Sequence, residues 1–133
     1  MALLIPILVL VALVALVFIF YFNRLVVLSN RIDNSLSQID VQLKKRSDLV
    51  PNLISTVKGY AKHESAAIAK VVAARQAMLG AKDIVSKVKA GNHLEGALKS
   101  IFALAENYPD LKANTNFLQL QEELSAIEDK VAY

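Results

Sequence analysis

Short motifs known from enzymes occur in this sequence, but each lacks the residues that would complete an active site. Ser55 with Lys58 and Ser86 with Lys89 both match S-x-x-K, a nucleophile–base spacing of acyl-transfer enzymes. The companion motifs S-D-N and K-T-G are missing from the chain. Both pairs are therefore expected to be chance features of polar helix faces, and a hydrolase that uses Ser55 and Lys58 is the weakest interpretation.

The candidate metal ligands and the paired acids do not indicate an active site any more strongly than the serine–lysine pairs do. His63 and Glu64 begin like the H-E-x-x-H motif of zinc peptidases, but the second histidine is missing and His93 stands alone. The chain has no cysteine, so thiolate sites and disulfides are excluded. The acids at 122–123 and 128–129 lie away from the apolar stripe of their predicted helix, and neighbouring side chains point in different directions. We predict no metal, no cofactor and no enzymatic activity.

The most informative stretch is the apolar run at the N-terminus. Of the 133 residues 55% are hydrophobic, and no charged residue occurs from Ala2 to Phe22. As a helix this run is ~31 Å long, close to the ~30 Å of the bilayer hydrocarbon. A signal peptide would begin with basic residues and have a shorter core, and a buried helix would show a polar stripe. We predict a transmembrane helix over residues 1–23.

The charged residues predict how this helix is oriented in the membrane and which class of partner the protein binds. Arg24 and Arg31 follow the apolar run and no basic residue precedes it, so the positive-inside rule places the following domain in the cytoplasm as part of a single-pass cell-membrane protein. The dense cluster Lys44-Lys45-Arg46 is expected to be a solvated helix end rather than a contact with lipid headgroups. Blocks of basic and aromatic residues are missing, so we expect a lipid bilayer as partner and no nucleic acid.

After the apolar run, hydrophobic residues recur at intervals of three and four, with coiled-coil-like spacing, which predicts amphipathic helices. The first stripe starts at Leu25 and continues the apolar helix without a break signal. Pro51 interrupts it and either kinks this helix or lies in the first turn of a new one, which Asp48 would cap. A second stripe runs from Leu53 to Leu79, and Gly80 is its predicted stop.

Further helices are predicted in the second half of the chain. A short segment over 82–90 ends at Gly91, and a stripe over 94–108 is stopped by Pro109. Asn114 to Asn116 offer several N-caps for the last helix, and Asn116 with Gln119 is a capping-box pair. Helices with one apolar face and short connections bury these faces against each other. The predicted fold class is all-α: a single N-terminal transmembrane helix continuing into an antiparallel helical bundle over residues 24–133.

A series of ordered motifs covers most of this bundle: SQIDVQLKKR at 37–46, DLVPNL at 48–53, VKGYAKHE at 57–64, AENYPDLKAN at 105–114 and NFLQLQEEL at 116–124. Together these motifs resemble the LemA family of bacterial and archaeal membrane proteins. The resemblance implies one N-terminal span, a bundle of long antiparallel helices, and neither an established enzymatic activity nor an agreed molecular role. Members usually continue past the region that matches 127–133, so we expect this chain to lack the C-terminal end of the family.

The first functional interpretation is a membrane-anchored scaffold or adaptor that binds a protein partner or a second copy of itself. Its predicted interaction surface consists of polar family-type residues: Asp48, Asn52, Lys58, His63 and Glu64. Equally open are purely structural roles, in which Asp48 caps a helix, Asn52 packs at the kink and Lys58 lies in solvent.

An alternative interpretation is a self-assembling structural or filament subunit that packs through the apolar N-terminal helix. Type IV pilins share this plan of an apolar helix running into an amphipathic one. No basic leader or prepilin cleavage site is visible, however, and Ile5 stands where such subunits commonly have glutamate. The adaptor interpretation is therefore preferred.

Overall fold

The computed structural model describes residues 1–132, and within this range it contains helices and no strand, as predicted. The chain forms two compact units, Met1–Ser37 and Gln38–Tyr133. The helices are α1 (Leu4–Tyr60), α2 (Ser65–Gly80), α3 (Ile84–Leu104), a 3-10 turn (Ala105–Asn107), α4 (Pro109–Lys112) and α5 (Thr115–Ala132).

The first unit consists of the N-terminal part of α1. Its apolar side chains, from Leu4 to Phe22, are exposed, and the mean hydropathy reaches 3.1 over 18 residues. By length and composition alone this helix could cross a membrane. Pro6 lies in the first turn, where a missing backbone N–H costs little.

The second unit is an antiparallel bundle of α2, α3, α5 and the C-terminal part of α1. Side-chain contacts fix the directions: Asp40 and Arg46 of α1 contact α3 at Lys87 and Gly91, so these helices run parallel. Asn114 and Asn116 contact α1 at residues 60 and 56, so α5 runs the opposite way. A connection of four residues joins α1 to α2, and one of three residues joins α2 to α3.

One hydrophobic core holds the bundle together. Each helix buries residues spaced three or four apart, because this spacing keeps side chains on one face. The Phe102 and Phe117 rings meet edge to face at a centroid distance of 5.8 Å and join α3 to α5. The core includes Leu43, Val50, Leu53 and Val57 of α1, Ile68, Val71 and Met78 of α2, Leu94, Leu98 and Ile101 of α3, and Leu120, Leu124 and Ile127 of α5.

Pro51 neither ends α1 nor begins a new helix. The helix continues through it to Tyr60, so Asp48 lies in a helix interior and caps nothing. Proline provides no N–H for the carbonyl of Ser47, four residues earlier. That carbonyl accepts a hydrogen bond from Arg75 Nε of α2 at 2.9 Å instead. An external donor therefore replaces the missing helical bond, which lets the helix continue.

Gly91 does not end a helix, contrary to the prediction. It is buried in the middle of α3, where its carbonyl accepts a hydrogen bond from Arg46 Nη1 at 2.8 Å. A Cβ atom at Gly91 would lie 2.5 Å from Leu43 Cδ2. The glycine thus permits close packing of α3 on α1, and the sequence does not distinguish this role from a helix stop because both favour glycine.

The remaining helix ends follow local rules. Gly80 ends α2 as predicted. Asp83 caps α3 by accepting a hydrogen bond from Ser86 N at 3.2 Å. Tyr108 precedes proline and has a non-helical backbone (φ −127°, ψ 82°), because the proline ring disfavours the helical region there. This break starts the short connector through α4 to α5.

Candidate interaction site

The five residues predicted to form an interaction surface are distributed over the C-terminal part of α1 and the turn that follows it. Asn52 is exposed, Glu64 is half-buried, and both make hydrogen bonds within the bundle. Asp48, Lys58 and His63 are exposed. At 100° per residue Lys58 lies about 80° around α1 from Asp48, and His63 lies beyond the helix.

Asn52 and Glu64 belong to a polar clasp that fastens the connector between α3 and α5 onto the end of α1. We define the polar clasp as Asn52, Thr56, Tyr60, Glu64, Tyr108, Asn114 and Asn116. Its first contact is a hydrogen bond that the Tyr108 hydroxyl donates to Glu64 Oε1 at 3.1 Å. This hydrogen bond is the main cause that raises the pKa of the Tyr108 phenol.

The asparagines of the polar clasp have separate tasks. Asn114 Nδ2 donates to the Tyr60 hydroxyl at 3.0 Å, and Asn114 Oδ1 accepts from the backbone N–H of Phe117 at 3.0 Å. Asn114 is therefore the cap of α5. Asn116 instead donates to Thr56 Oγ1 at 3.0 Å and contacts Asn52 Oδ1 at 3.4 Å. The predicted capping box of Asn116 with Gln119 is wrong, because the Asn116 side chain turns toward α1.

A second polar group is buried inside the bundle, and the sequence interpretation missed it. Arg46, expected in solvent, is 1% exposed and donates to the carbonyl of Gly91. Its Nη2 atom lies 3.7 Å from Glu95 Oε2 and has no hydrogen-bond partner within the described residues. The signal was the spacing: Arg46 is three residues after Leu43 and four before Val50, in phase with the core.

A mixed-charge network surrounds Arg46. Lys99 Nζ contacts Glu95 at 3.1 Å and Glu128 at 3.2 Å, and so links α3 to α5. Burial acts to raise the pKa of Glu95, but the hydrogen bond from Lys99 and the positive charges of Arg46 and Lys99 act in the opposite direction, and the pKa is lowered. Burial lowers the pKa of Arg46, and the charges of Glu95 and Glu128 oppose this effect. Two cations and two carboxylates share the site, as expected of a structural ion-pair network.

A groove between α1 and α5 is the concave surface closest to the predicted residues. Its volume is about 380 Å³, and Asp48 lies on its wall. Leu49 and Ile127 provide apolar surface, while Lys45 and Glu123 carry opposite charges on the two helices. This combination of apolar surface and charged rim is typical of sites that bind a helix or peptide.

Comparison with known proteins agrees with the motifs. The sequence matches the profile of the LemA family over residues 35–133. The chain belongs to the LemA family. It is also 28% identical over 120 residues to Protein LemA of Metamycoplasma hominis, in an alignment that covers 85% of this chain and 55% of the relative. The chain therefore spans about half the length of that relative.

In this LemA-family chain the recognisable motifs are largely structural. The segment around VKGYAKHE supplies Tyr60 and Glu64 to the polar clasp, and AENYPDLKAN supplies their partners Tyr108 and Asn114. Asp48, in DLVPNL, has no such role and lines the groove between α1 and α5. The motif residues thus divide into those that fasten the bundle and those left on its surface.

The serines, lysines and histidines of the enzyme-like motifs are exposed. Ser55 and Lys58 are both exposed on α1, and the Ser86 backbone N–H contacts the cap Asp83. Residues 1–132 hold no group of three or more histidine or acidic side chains that could bind a metal ion.

Proposed function

We propose that this protein is a membrane-anchored helical scaffold of the LemA type that binds another protein on the surface of its bundle and catalyses no reaction. The observation that carries the proposal is the position of Asp48. This family-type residue is exposed on α1 and lines a groove with apolar surface and charged walls. A polar residue that fastens nothing inside the bundle is available to a partner.

Membrane anchoring rests on a separate observation. The N-terminal part of α1 is free of charge from Leu4 to Phe22 and long enough for a bilayer. Arg24 and Arg31 follow it, which favours a cytoplasmic bundle. The protein should stay in the membrane pellet after alkaline carbonate extraction, and deletion of residues 2–22 should release it. A wild-type protein that is extracted without detergent would exclude the anchor.

Site-specific photo-crosslinking in intact cells tests the groove. A photoreactive amino acid replaces Lys45 in the groove or, as a matched control, Ala103, which is exposed on α3 outside it. We expect a discrete adduct at position 45 that is lost when Leu49→Lys places a charge on the apolar surface. Equal adducts at both positions, or adducts that Leu49→Lys leaves unchanged, would reject the groove as the binding surface.

The absence of catalysis is tested separately. Ser55→Ala and Lys58→Ala should leave every phenotype of the wild-type gene intact, since both side chains are exposed on a helix face. Loss of a phenotype in both variants, with protein levels unchanged, would support a hydrolase instead.

A further inference from the structure

Charge is distributed unevenly between the helices of the bundle. The α2–α3 hairpin, residues 65–104, has six basic and two acidic side chains, a net charge of +4. The segment that contains α4 and α5, residues 105–132, has six acidic and two basic side chains, a net charge of −4. The net charge of +3 for the whole chain hides this asymmetry.

The basic side of the bundle combines charge with exposed apolar surface. Lys70 on α2 and Lys89 on α3 are exposed. Val85 is 71% exposed and lies four residues before Lys89, on the same face of α3. Lys70 lies on the other helix of the same hairpin, and we call these three exposed side chains of the hairpin, Lys70, Val85 and Lys89, the basic face.

The acidic side has the same combination with opposite charge. Glu122 and Asp129 are exposed on α5 and seven residues apart, which places them on one face at a spacing of ~10 Å. Leu118 is 48% exposed and lies four residues before Glu122. We call this surface, defined by Leu118, Glu122 and Asp129, the acidic face.

From this complementarity we infer that copies of the bundle associate head to tail, with the basic face of one copy against the acidic face of the next. Like faces repel each other, so a symmetric contact between two identical faces is disfavoured. The two faces lie on different helices, so each copy has one of each free, and the contact propagates into a chain or a ring. This inference needs no other partner and does not use the apolar part of α1.

Complementary charge reversals test the contact in the full-length protein, purified in mild neutral detergent. Variant one carries Glu122→Lys and Asp129→Lys, so that both faces are positive. Variant two carries Lys70→Glu and Lys89→Glu, so that both faces are negative. Light scattering should show multi-copy wild-type particles at low salt that dissociate at high salt, because screening weakens the contact. We expect each variant alone to associate roughly tenfold or more weakly.

Mixing the two variants provides the decisive observation. In a one-to-one mixture every contact joins a positive to a negative face, so association should return to the wild-type level. Lys44→Glu with Lys62→Glu is the matched control, since it makes the same charge change as variant two at exposed positions in and directly after α1. This control should associate like the wild type.

Three results would overturn the inference: a wild type that stays single-copy at low salt, variants that associate alone as well as the wild type, or a mixture that fails to associate. Persistent association of every variant would point to the apolar helix instead. Circular dichroism checks the fold of each variant. If a reversed variant does not fold, Glu122→Gln with Asp129→Asn replaces variant one, and Lys70→Gln with Lys89→Gln replaces variant two. Each neutral variant should then associate more weakly than the wild type. A particle mass equal to that of the wild type would also reject the contact.

Discussion

Arg75 of α2 donates a hydrogen bond from Nε to the backbone carbonyl of Ser47 in α1, at 2.9 Å. This is the carbonyl that Pro51, four residues later, leaves without its helical donor. A side chain from the neighbouring helix thus completes the backbone of α1 at its proline. The helix passes through Pro51 because tertiary structure supplies the missing bond.

The first prediction couples these two positions. Arg75→Met should destabilise the bundle by about 1–2 kcal/mol, because it leaves the carbonyl of Ser47 without a donor. Pro51→Ala restores a backbone N–H for that carbonyl and should stabilise the helix by about 1–2 kcal/mol. In the Pro51→Ala background, Arg75→Met should cost about 1 kcal/mol less.

Urea unfolding of the full-length protein in detergent, followed by circular dichroism, measures this cycle. If Arg75→Met lowers the free energy of unfolding equally in both backgrounds, the hydrogen bond to Ser47 does not replace the helical one.

The second prediction concerns two glycines in α3. Gly91→Ala should destabilise the bundle by about 1–2 kcal/mol, because its Cβ would overlap the fully buried Leu43 and this outweighs the gain in helix propensity. Gly96→Ala is the matched control: no atom lies within 4 Å of its Cβ position, so it should stabilise α3 by about 0.5–1 kcal/mol.

Unfolding midpoints of the two variants should therefore shift in opposite directions. Leu43→Val should partly relieve Gly91→Ala, because the valine side chain is one carbon shorter and has no Cδ2 atom at the point of overlap. If Gly91→Ala stabilises as much as Gly96→Ala, the contact of α3 with α1 is looser than the structure indicates.

The third prediction follows from the charge network around Arg46. Glu95→Gln should destabilise the bundle by about 1–3 kcal/mol at neutral pH, because Arg46 is buried and loses its nearest carboxylate. The pKa of Glu95 is lowered in the folded protein. Its stabilising contribution is therefore present above about pH 4.3, the ordinary glutamate value, and is lost as the pH falls through the lowered pKa.

Urea unfolding at neutral and acidic pH should show the stability difference between wild type and Glu95→Gln shrinking as the pH falls. Glu106→Gln is a control, because Glu106 pairs with Lys112 on the exposed surface and should change stability by less than about 0.5 kcal/mol. A difference that is independent of pH would assign the effect of Glu95→Gln to packing.

The fourth prediction separates the two asparagines of the polar clasp. Asn114→Ala should cost about 1–2 kcal/mol, because it removes both the cap of α5 and the contact with Tyr60. Asn116→Ala should cost about 0.5 kcal/mol or less, because it removes only exposed hydrogen bonds. Asn114→Asp should be close to the wild type, since a carboxylate also caps a helix.

Thermal unfolding by circular dichroism ranks these three variants. If Asn116→Ala is the most damaging, the α5 cap lies at Asn116 and the capping box with Gln119 is restored as the better assignment.

Much of the fold could be predicted from the sequence because its determinants are local. The charge-free run to Phe22 and the stripes that follow determine helices by their spacing, whatever lies beside them. Gly80 is the last residue of α2, as the low helix propensity of glycine predicts without reference to a neighbour. Stripes with short connections leave an antiparallel bundle as the simplest way to bury their apolar faces, and the structure has this arrangement.

Only the tertiary structure decided the roles of residues that depend on a contact with a distant part of the chain. Glycine is favoured both at a helix stop and at a close helix crossing, and only the position of Leu43 shows which of these roles Gly91 has. In the sequence Arg46 is one cation of a basic cluster, and only its contacts with Gly91 and Glu95 in the folded chain show its role. Pro51 breaks a helix unless Arg75 supplies a donor. The sequence by itself determined where helices form, because that depends on neighbouring residues. The tertiary structure decided what glycine, proline and arginine do within them, because that depends on residues 28 to 49 positions away.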